Sequence, residues 1–249
     1  MGAVDILLNG AYISVAVRGS GKPIIFLHGY LSNKQSFYYQ TEYFKERGFC
    51  TVAPDMPSFG SSSPITRPWS VGDYAGWLED FIEARGLQGA DIVAHSFGAR
   101  VAFKLFSRCG NLADKIVITG GAGLVKPRSP AYMRQVKRYR RVKRFFPGYA
   151  ERHFGSAEYR TLSPVMKESY KLIVNEDLRG CAEKIVNPVL LIYGRDDTVT
   201  PAKEEGAIFR SLIRTSTLEV IGGGHFCFSE NPEEFNVLAE KFFLKDRSV

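Results

Sequence analysis

The sequence predicts an α/β fold: a mostly parallel, eight-stranded sheet with helices on both faces and an inserted helical cap. Three observations predict it. Short, continuous apolar runs recur along the chain, among them Pro23–Leu27, Cys50–Ala53 and Asp91–Ala94. Runs of this kind suit strands buried on both faces. Segments with apolar residues three and four apart separate most of these runs, as strand–helix alternation requires. One stretch of about sixty residues breaks the alternation and reads as helical throughout.

The elements follow in order. Asn9-Gly10 lies between the runs DILL and YISVAV and signals a two-residue hairpin turn, which adds antiparallel strands at one edge. Pro23–Leu27 is the first buried strand and ends at His28-Gly29. Helices are expected over Ser36–Arg47 and Val71–Arg85, closed by Gly48 and Gly86. Ile116–Thr119, Val189–Tyr193 and Leu218–Ile221 complete the strands. Further helices are expected over Phe97–Ser107, Ala202–Arg210 and Pro232–Phe243, the last with Asn231 placed to cap it.

Between Thr119 and Pro188 no strand is expected. Ser129-Pro130 starts a helix whose apolar stripe is Tyr132, Val136, Tyr139 and Phe146, and Pro147-Gly148 ends it. Ser163-Pro164 starts another, with Val165, Met166, Tyr170, Ile173 and Val174 on one side. The expected division is a core of residues 1–122 and 185–249 and a cap of residues 123–184.

Bulk properties narrow the class. Apolar content of 45% and charged content of 24% are those of a soluble globular protein, and 249 residues suffice for a sizeable core. No apolar run approaches the ~18 residues of a membrane span. The opening MGAVDILLNG lacks a basic n-region and contains Asp5, so no signal peptide is expected. Cys50, Cys109, Cys181 and Cys227 are scattered, with no C-x-x-C pair. They read as reduced thiols of a cytoplasmic protein.

The formal charge of +7 is local. Residues 126–152 hold ten of the 33 Lys/Arg and one of the 26 Asp/Glu, so this stretch carries +9 and the remainder −2. The expected role is a solvated face of the cap; steering of an anionic substrate or contact with an anionic surface is the alternative. A small-molecule substrate is expected, and no nucleic-acid partner. No metal or organic cofactor is expected either: the glycine runs Gly120–Gly123 and Gly222–Gly224 make no dinucleotide fingerprint, and no metal-ligand spacing occurs.

Ala94-His95-Ser96-Phe97-Gly98 carries the chemistry. Ser96 ends an apolar strand and begins a helix. A nucleophile there sits on a sharp turn that brings neighbouring backbone close, so the positions two before and two after must be small. Ala94 and Gly98 are small. Alone, the pattern also fits a serine that merely caps its helix. A serine nucleophile needs a base, and the base an orienting acid. His225 follows the last strand in IGGGH, and Asp196 and Asp197 follow the penultimate strand in LLIYGRDDTVTP. Serine, aspartate and histidine then all stand at the C-terminal ends of strands, where ligands collect in open parallel sheets.

Taken together, His28-Gly29-Tyr30, Pro54–Ser62, Ala94–Gly98, Gly194–Pro201 and Gly224-His225 resemble the α/β-hydrolase superfamily, over essentially the whole chain outside the cap. Its pattern usually has glycine where Ala94 stands. The resemblance implies the α/β-hydrolase fold and a triad of Ser96, Asp197 and His225. Gly194 and Pro201 frame Asp197 as the acid, with Asp196 the fallback. It also implies an oxyanion hole from the backbone N–H groups of Tyr30 and Phe97. Phe59, Phe226 and Phe228, with the rings of Tyr30 and Phe97, are candidates for an apolar pocket beside the serine. His28 and His95 read as structural, and His153 as a surface residue.

Serine at this position argues against the haloalkane dehalogenases and epoxide hydrolases of this fold, which use aspartate there. The expected activity is hydrolysis of a small ester. Cleavage of a C–C bond in a keto-acid and cofactor-free perhydrolysis are open to the same triad. A ligand-binding or signalling protein on the same fold is the non-enzymatic alternative.

Overall fold

The computed structural model describes the backbone of residues 3–125, 130–146 and 157–245. Eight strands form one sheet: β1 (Ala3–Leu8), β2 (Ala11–Arg18), β3 (Lys22–Leu27), β4 (Phe49–Pro54), β5 (Ala90–His95), β6 (Ala113–Thr119), β7 (Val189–Gly194) and β8 (Ser216–Ile221). Their order across the sheet is β1-β2-β4-β3-β5-β6-β7-β8. Only the β1–β2 and β2–β4 pairs are antiparallel. The hairpin turn is Asn9-Gly10, with φ of 52° and 80°, the left-handed pair that a two-residue turn needs. From β3 the chain goes out to β4 and then crosses to β5 on the other side. The carboxyl ends of β3 and β5 therefore flank the point where the strand order reverses, which opens a crevice.

Among the described residues the helices of six or more residues are α1 (Tyr38–Lys45), α2 (Val71–Ala84), α3 (Phe97–Phe106), α4 (Pro130–Phe145), α5 (Pro164–Val174), α6 (Ala207–Leu212) and α7 (Pro232–Leu244). Two apolar clusters show that both sheet faces are covered. One holds Ile25, Leu27, Phe81, Phe103 and Phe209. The other holds Ile24, Phe26, Phe44, Phe235 and Phe243. Alternate residues of β3 thus point into opposite cores, and every residue of β5 and β7 is buried.

Helix starts follow local chemistry. Ser70 and Asp73 form a capping box on α2. The Ser163 hydroxyl accepts from the Met166 N–H on α5 at 3.2 Å. Three starts differ from the sequence reading. A 3₁₀ turn, Lys34–Phe37, precedes α1, because the Asn33 side chain takes the Gln35 N–H. A π turn, Ala202–Gly206, precedes α6; the Ala207 N–H donates to the Ala202 carbonyl, five residues back, and this bond widens the turn. Asn231 does not cap α7, because its side-chain amide donates to Glu234 instead.

Among the described residues between β6 and β7 there is no strand. Ser129, Pro147-Gly148, His153 and the Tyr132 side chain lie outside the described residues. α5 is fastened to the core at three points. Ser169 accepts from the Trp69 N–H at 2.8 Å. Arg100 of α3 donates to the carbonyls of Ile173 (3.0 Å) and Glu176 (3.2 Å). Tyr30 donates to the Met166 carbonyl and packs its ring 5.3 Å from that of Tyr170. α5 therefore reaches the loop that follows β3. No helix among the described residues is long and apolar enough to cross a membrane.

Candidate active site

Ser96 joins β5 directly to α3 and has φ 49° and ψ −102°. A non-glycine residue held at such a φ costs about 1–3 kcal/mol, so its surroundings must impose it. They do so by close packing. A Cβ on Gly98 would stand 2.3 Å from the Leu27 carbonyl oxygen, so α3 approaches β3 closely only with glycine there. Ala94 is fully buried, and the Ser96 N–H donates to the Thr119 carbonyl at 3.2 Å. The Ser96 side chain accepts no hydrogen bond from its own helix. The capping role left open by the sequence is thus not the one this serine plays.

His225 and Asp197 meet. The His225 Nδ1–H donates to Asp197 Oδ2 at 2.8 Å. That bond leaves Nε2 as the unprotonated nitrogen of the neutral ring. Asp197 is 4% exposed and also accepts from the N–H groups of Val199 (2.8 Å) and Thr200 (2.9 Å) and from the Thr200 hydroxyl (2.8 Å). Burial pushes its carboxyl up, but the bonds from His225 and Thr200 outweigh it and hold the group below the usual aspartate value. Asp196 is exposed and engages through its backbone N–H, on the Gly223 carbonyl. Of the two aspartates, the one that Gly194 and Pro201 frame is the buried one.

Gly120 follows β6 and seats His225; a Cβ there would stand 3.2 Å from the imidazole and from the His225 carbonyl. Gly120 also follows Thr119, whose carbonyl holds Ser96, so Ser96 from the end of β5 and His225 from the loop after β8 both pack at the carboxyl end of β6. Among the described residues no hydrogen bond joins Ser96 to His225, whose side-chain bonds run to Asp197 and Thr200. A nucleophile–base bond of this kind tightens in the substrate complex. The N–H groups of Tyr30 and Phe97 donate to no protein acceptor among the described residues.

The aromatic residues divide. Phe59, Tyr30 and Phe97 pack mutually, with centroids 5.1–5.8 Å apart. Phe226 is half-exposed beside His225. Phe228 does not line a pocket. The helical turn Cys227–Glu230 aims it into the core, 4.8 Å from Phe37.

A model of the alpha/beta hydrolase family matches residues 24–237. The chain belongs to this family. It is similar to the AB hydrolase superfamily protein YisY of Bacillus subtilis, at 27% identity over 90% of this chain and 92% of that protein. It is 28% identical to a 2-hydroxymuconate semialdehyde hydrolase of Pseudomonas putida, over 97% of this chain and 94% of that one. An esterase from Exiguobacterium antarcticum shares the fold, with a TM-score of 0.79 at 22% identity, over 97% of this chain and 100% of that one.

In this hydrolase two further histidines hold the site's frame. His95 is fully buried; its Nε2–H donates to the His225 carbonyl at 2.9 Å, and its Nδ1 has no hydrogen-bond partner among the described residues. Burial, then the neighbouring His225, push its pKa down to about 3. His28 donates from Nδ1 to the Gly29 carbonyl at 2.7 Å and accepts the Met56 N–H at Nε2. Burial pushes its pKa down to about 4. Both rings are structural, as the sequence reading expected. Thr200 was missed there. Its hydroxyl lies 2.8 Å from Asp197 and 3.2 Å from His225 Nδ1, and its place three residues after Asp197 was the available signal.

Proposed function

We propose that this hydrolase cleaves a small carboxylic ester by nucleophilic catalysis. Ser96 Oγ attacks the carbonyl carbon while His225 Nε2 takes its proton. Asp197 holds the tautomer and stabilises the imidazolium. The N–H groups of Phe97 and Tyr30 donate to the oxyanion. Collapse of the tetrahedral intermediate expels the alcohol, which takes its proton from His225 and leaves an acyl-Ser96. Water, deprotonated by His225, then attacks the acyl carbon, and the acid leaves as Ser96 regains its proton. Residues 123–184 act as the cap that sets the acyl group accepted. The four free cysteines support a reducing, cytoplasmic setting.

One observation carries this reading. Ser96 is held at a left-handed φ, caps nothing, and shares the carboxyl end of β6 with a histidine bonded to a buried aspartate. A second reading is C–C bond cleavage of a keto-acid through the same residues. The full-length similarity to a 2-hydroxymuconate semialdehyde hydrolase favours it. A panel of p-nitrophenyl esters of rising acyl length, run beside a vinylogous keto-acid, separates the two. Turnover of short esters that greatly exceeds that of the keto-acid supports the ester reading. The opposite preference supports the second, and no turnover of either by folded protein contradicts both.

A further inference from the structure

The helix α4 reads PAYMRQVKRYRRVKRF and contains no acidic residue. Val136, Tyr139 and Val142 are half-buried and share one side of it. At about 100° per residue, Arg134, Lys137, Arg138, Arg140, Arg141 and Arg144 fall on an opposite arc of about 160°. All six are exposed. Met133 and Phe145 lie inside the same arc, 42% and 67% exposed, and Phe146 follows at 66%.

This composition discriminates between uses of a basic face. A merely solvated face, or one that steers a dissolved anion, gains nothing from presenting methionine and phenylalanine to water. A helix lying in a bilayer interface uses both kinds of residue: its cations meet lipid phosphates, and its apolar side chains enter the acyl boundary. At ~1.5 Å per residue the helix is long enough, at about 24 Å, to lay these groups along a surface.

We propose that the outward face of α4 docks the enzyme on an anionic lipid surface. The six cations supply the attraction, and Met133 and Phe145 insert between headgroups. None of these residues is Ser96, Asp197, His225 or an oxyanion-hole donor, so the docking does not depend on which bond the enzyme cleaves.

The test is co-sedimentation of the full chain with phosphatidylcholine vesicles and with mixed phosphatidylcholine–phosphatidylglycerol vesicles, at low and high salt. The expected result is binding to the anionic vesicles alone, weakened by salt. The triple variant Arg134→Glu, Arg138→Glu, Arg141→Glu should lower the partition coefficient at least about tenfold. Met133→Ser with Phe145→Ser should lower it several-fold, roughly as the lost apolar insertion requires. Unchanged far-ultraviolet circular dichroism and thermal melting in both variants show that they fold. Equal binding to neutral and anionic vesicles, or to neither, overturns the proposal in the unaltered protein without recourse to variants. Anionic binding insensitive to the Met133 and Phe145 changes, or retention on duplex DNA in place of vesicles, also overturns it.

Discussion

Two imidazoles, His95 and His225, stand 4.7 Å apart at the same sheet edge, yet the fold gives them opposite chemistry. His225 sits after β8 on a glycine-rich turn, partly open to solvent, with its Nδ1 on a buried carboxylate. A second proton on that ring is balanced by Asp197. His95 ends β5 in full burial, and its Nε2 bonds a carbonyl, with no acceptor for a second proton among the described residues. Residue type makes an imidazole available; the partner of its far nitrogen and its access to water decide whether it serves as a base.

The largest effect should come from removing that partner. Asp197→Asn keeps the shape but presents an amide to His225, and kcat for ester hydrolysis should fall about 10⁴-fold. A loss under tenfold would erase the distinction between the two rings. The next effect is on stability. Both His28 and His95 have folded pKa values below the ordinary histidine value, so the unfolded chain takes up protons first as pH falls. Stability should be full above about pH 6.5 and decline below it by about 1.4 kcal/mol per pH unit for each ring, down to about pH 4 for His28 and about pH 3 for His95. Denaturant melts at stepped pH check this. A flat profile would mean that these rings protonate freely in the folded protein.

A smaller effect sharpens the account of the acid. Thr200→Val deletes the hydroxyl donor to Asp197 and leaves its two backbone donors. Stability should fall by about 1 kcal/mol and kcat by roughly tenfold. An unchanged kcat would make Thr200 a bystander. The smallest effect should come from Asp196→Asn, which alters an exposed side chain and should stay within about 0.5 kcal/mol and about twofold in turnover. If Asp196→Asn costs more than Asp197→Asn, the acid is misassigned.

Much of this was legible in the sequence because burial writes itself as composition. Strands covered on both faces read as unbroken apolar runs, and their ends located Ser96, Asp197 and His225. The small residues around Ser96 were legible because backbone contact demands them, and Gly98 against Leu27 is that contact. Other features depend on partners distant in the chain. Arg100 meets the carbonyls of Ile173 and Glu176 across the join with α5, which no local pattern encodes. Phe228 was misread as a pocket residue because the direction of a four-residue helical turn is set by what packs beneath it. The π turn before α6 was read as regular helix because its wider bond, from the Ala207 N–H to the Ala202 carbonyl, leaves no compositional trace.

The central claim is that the strained turn and the Asp197–His225 pair make Ser96 a nucleophile, while ordinary serines of the chain stay inert. A fluorophosphonate probe tests it directly, because only a serine with a base in reach and donors for the adduct oxygen reacts. The account predicts one adduct by intact mass, mapped to Ser96, and its loss in both Ser96→Ala and His225→Ala. A folded protein that takes no probe, or labelling that survives Ser96→Ala, would contradict it.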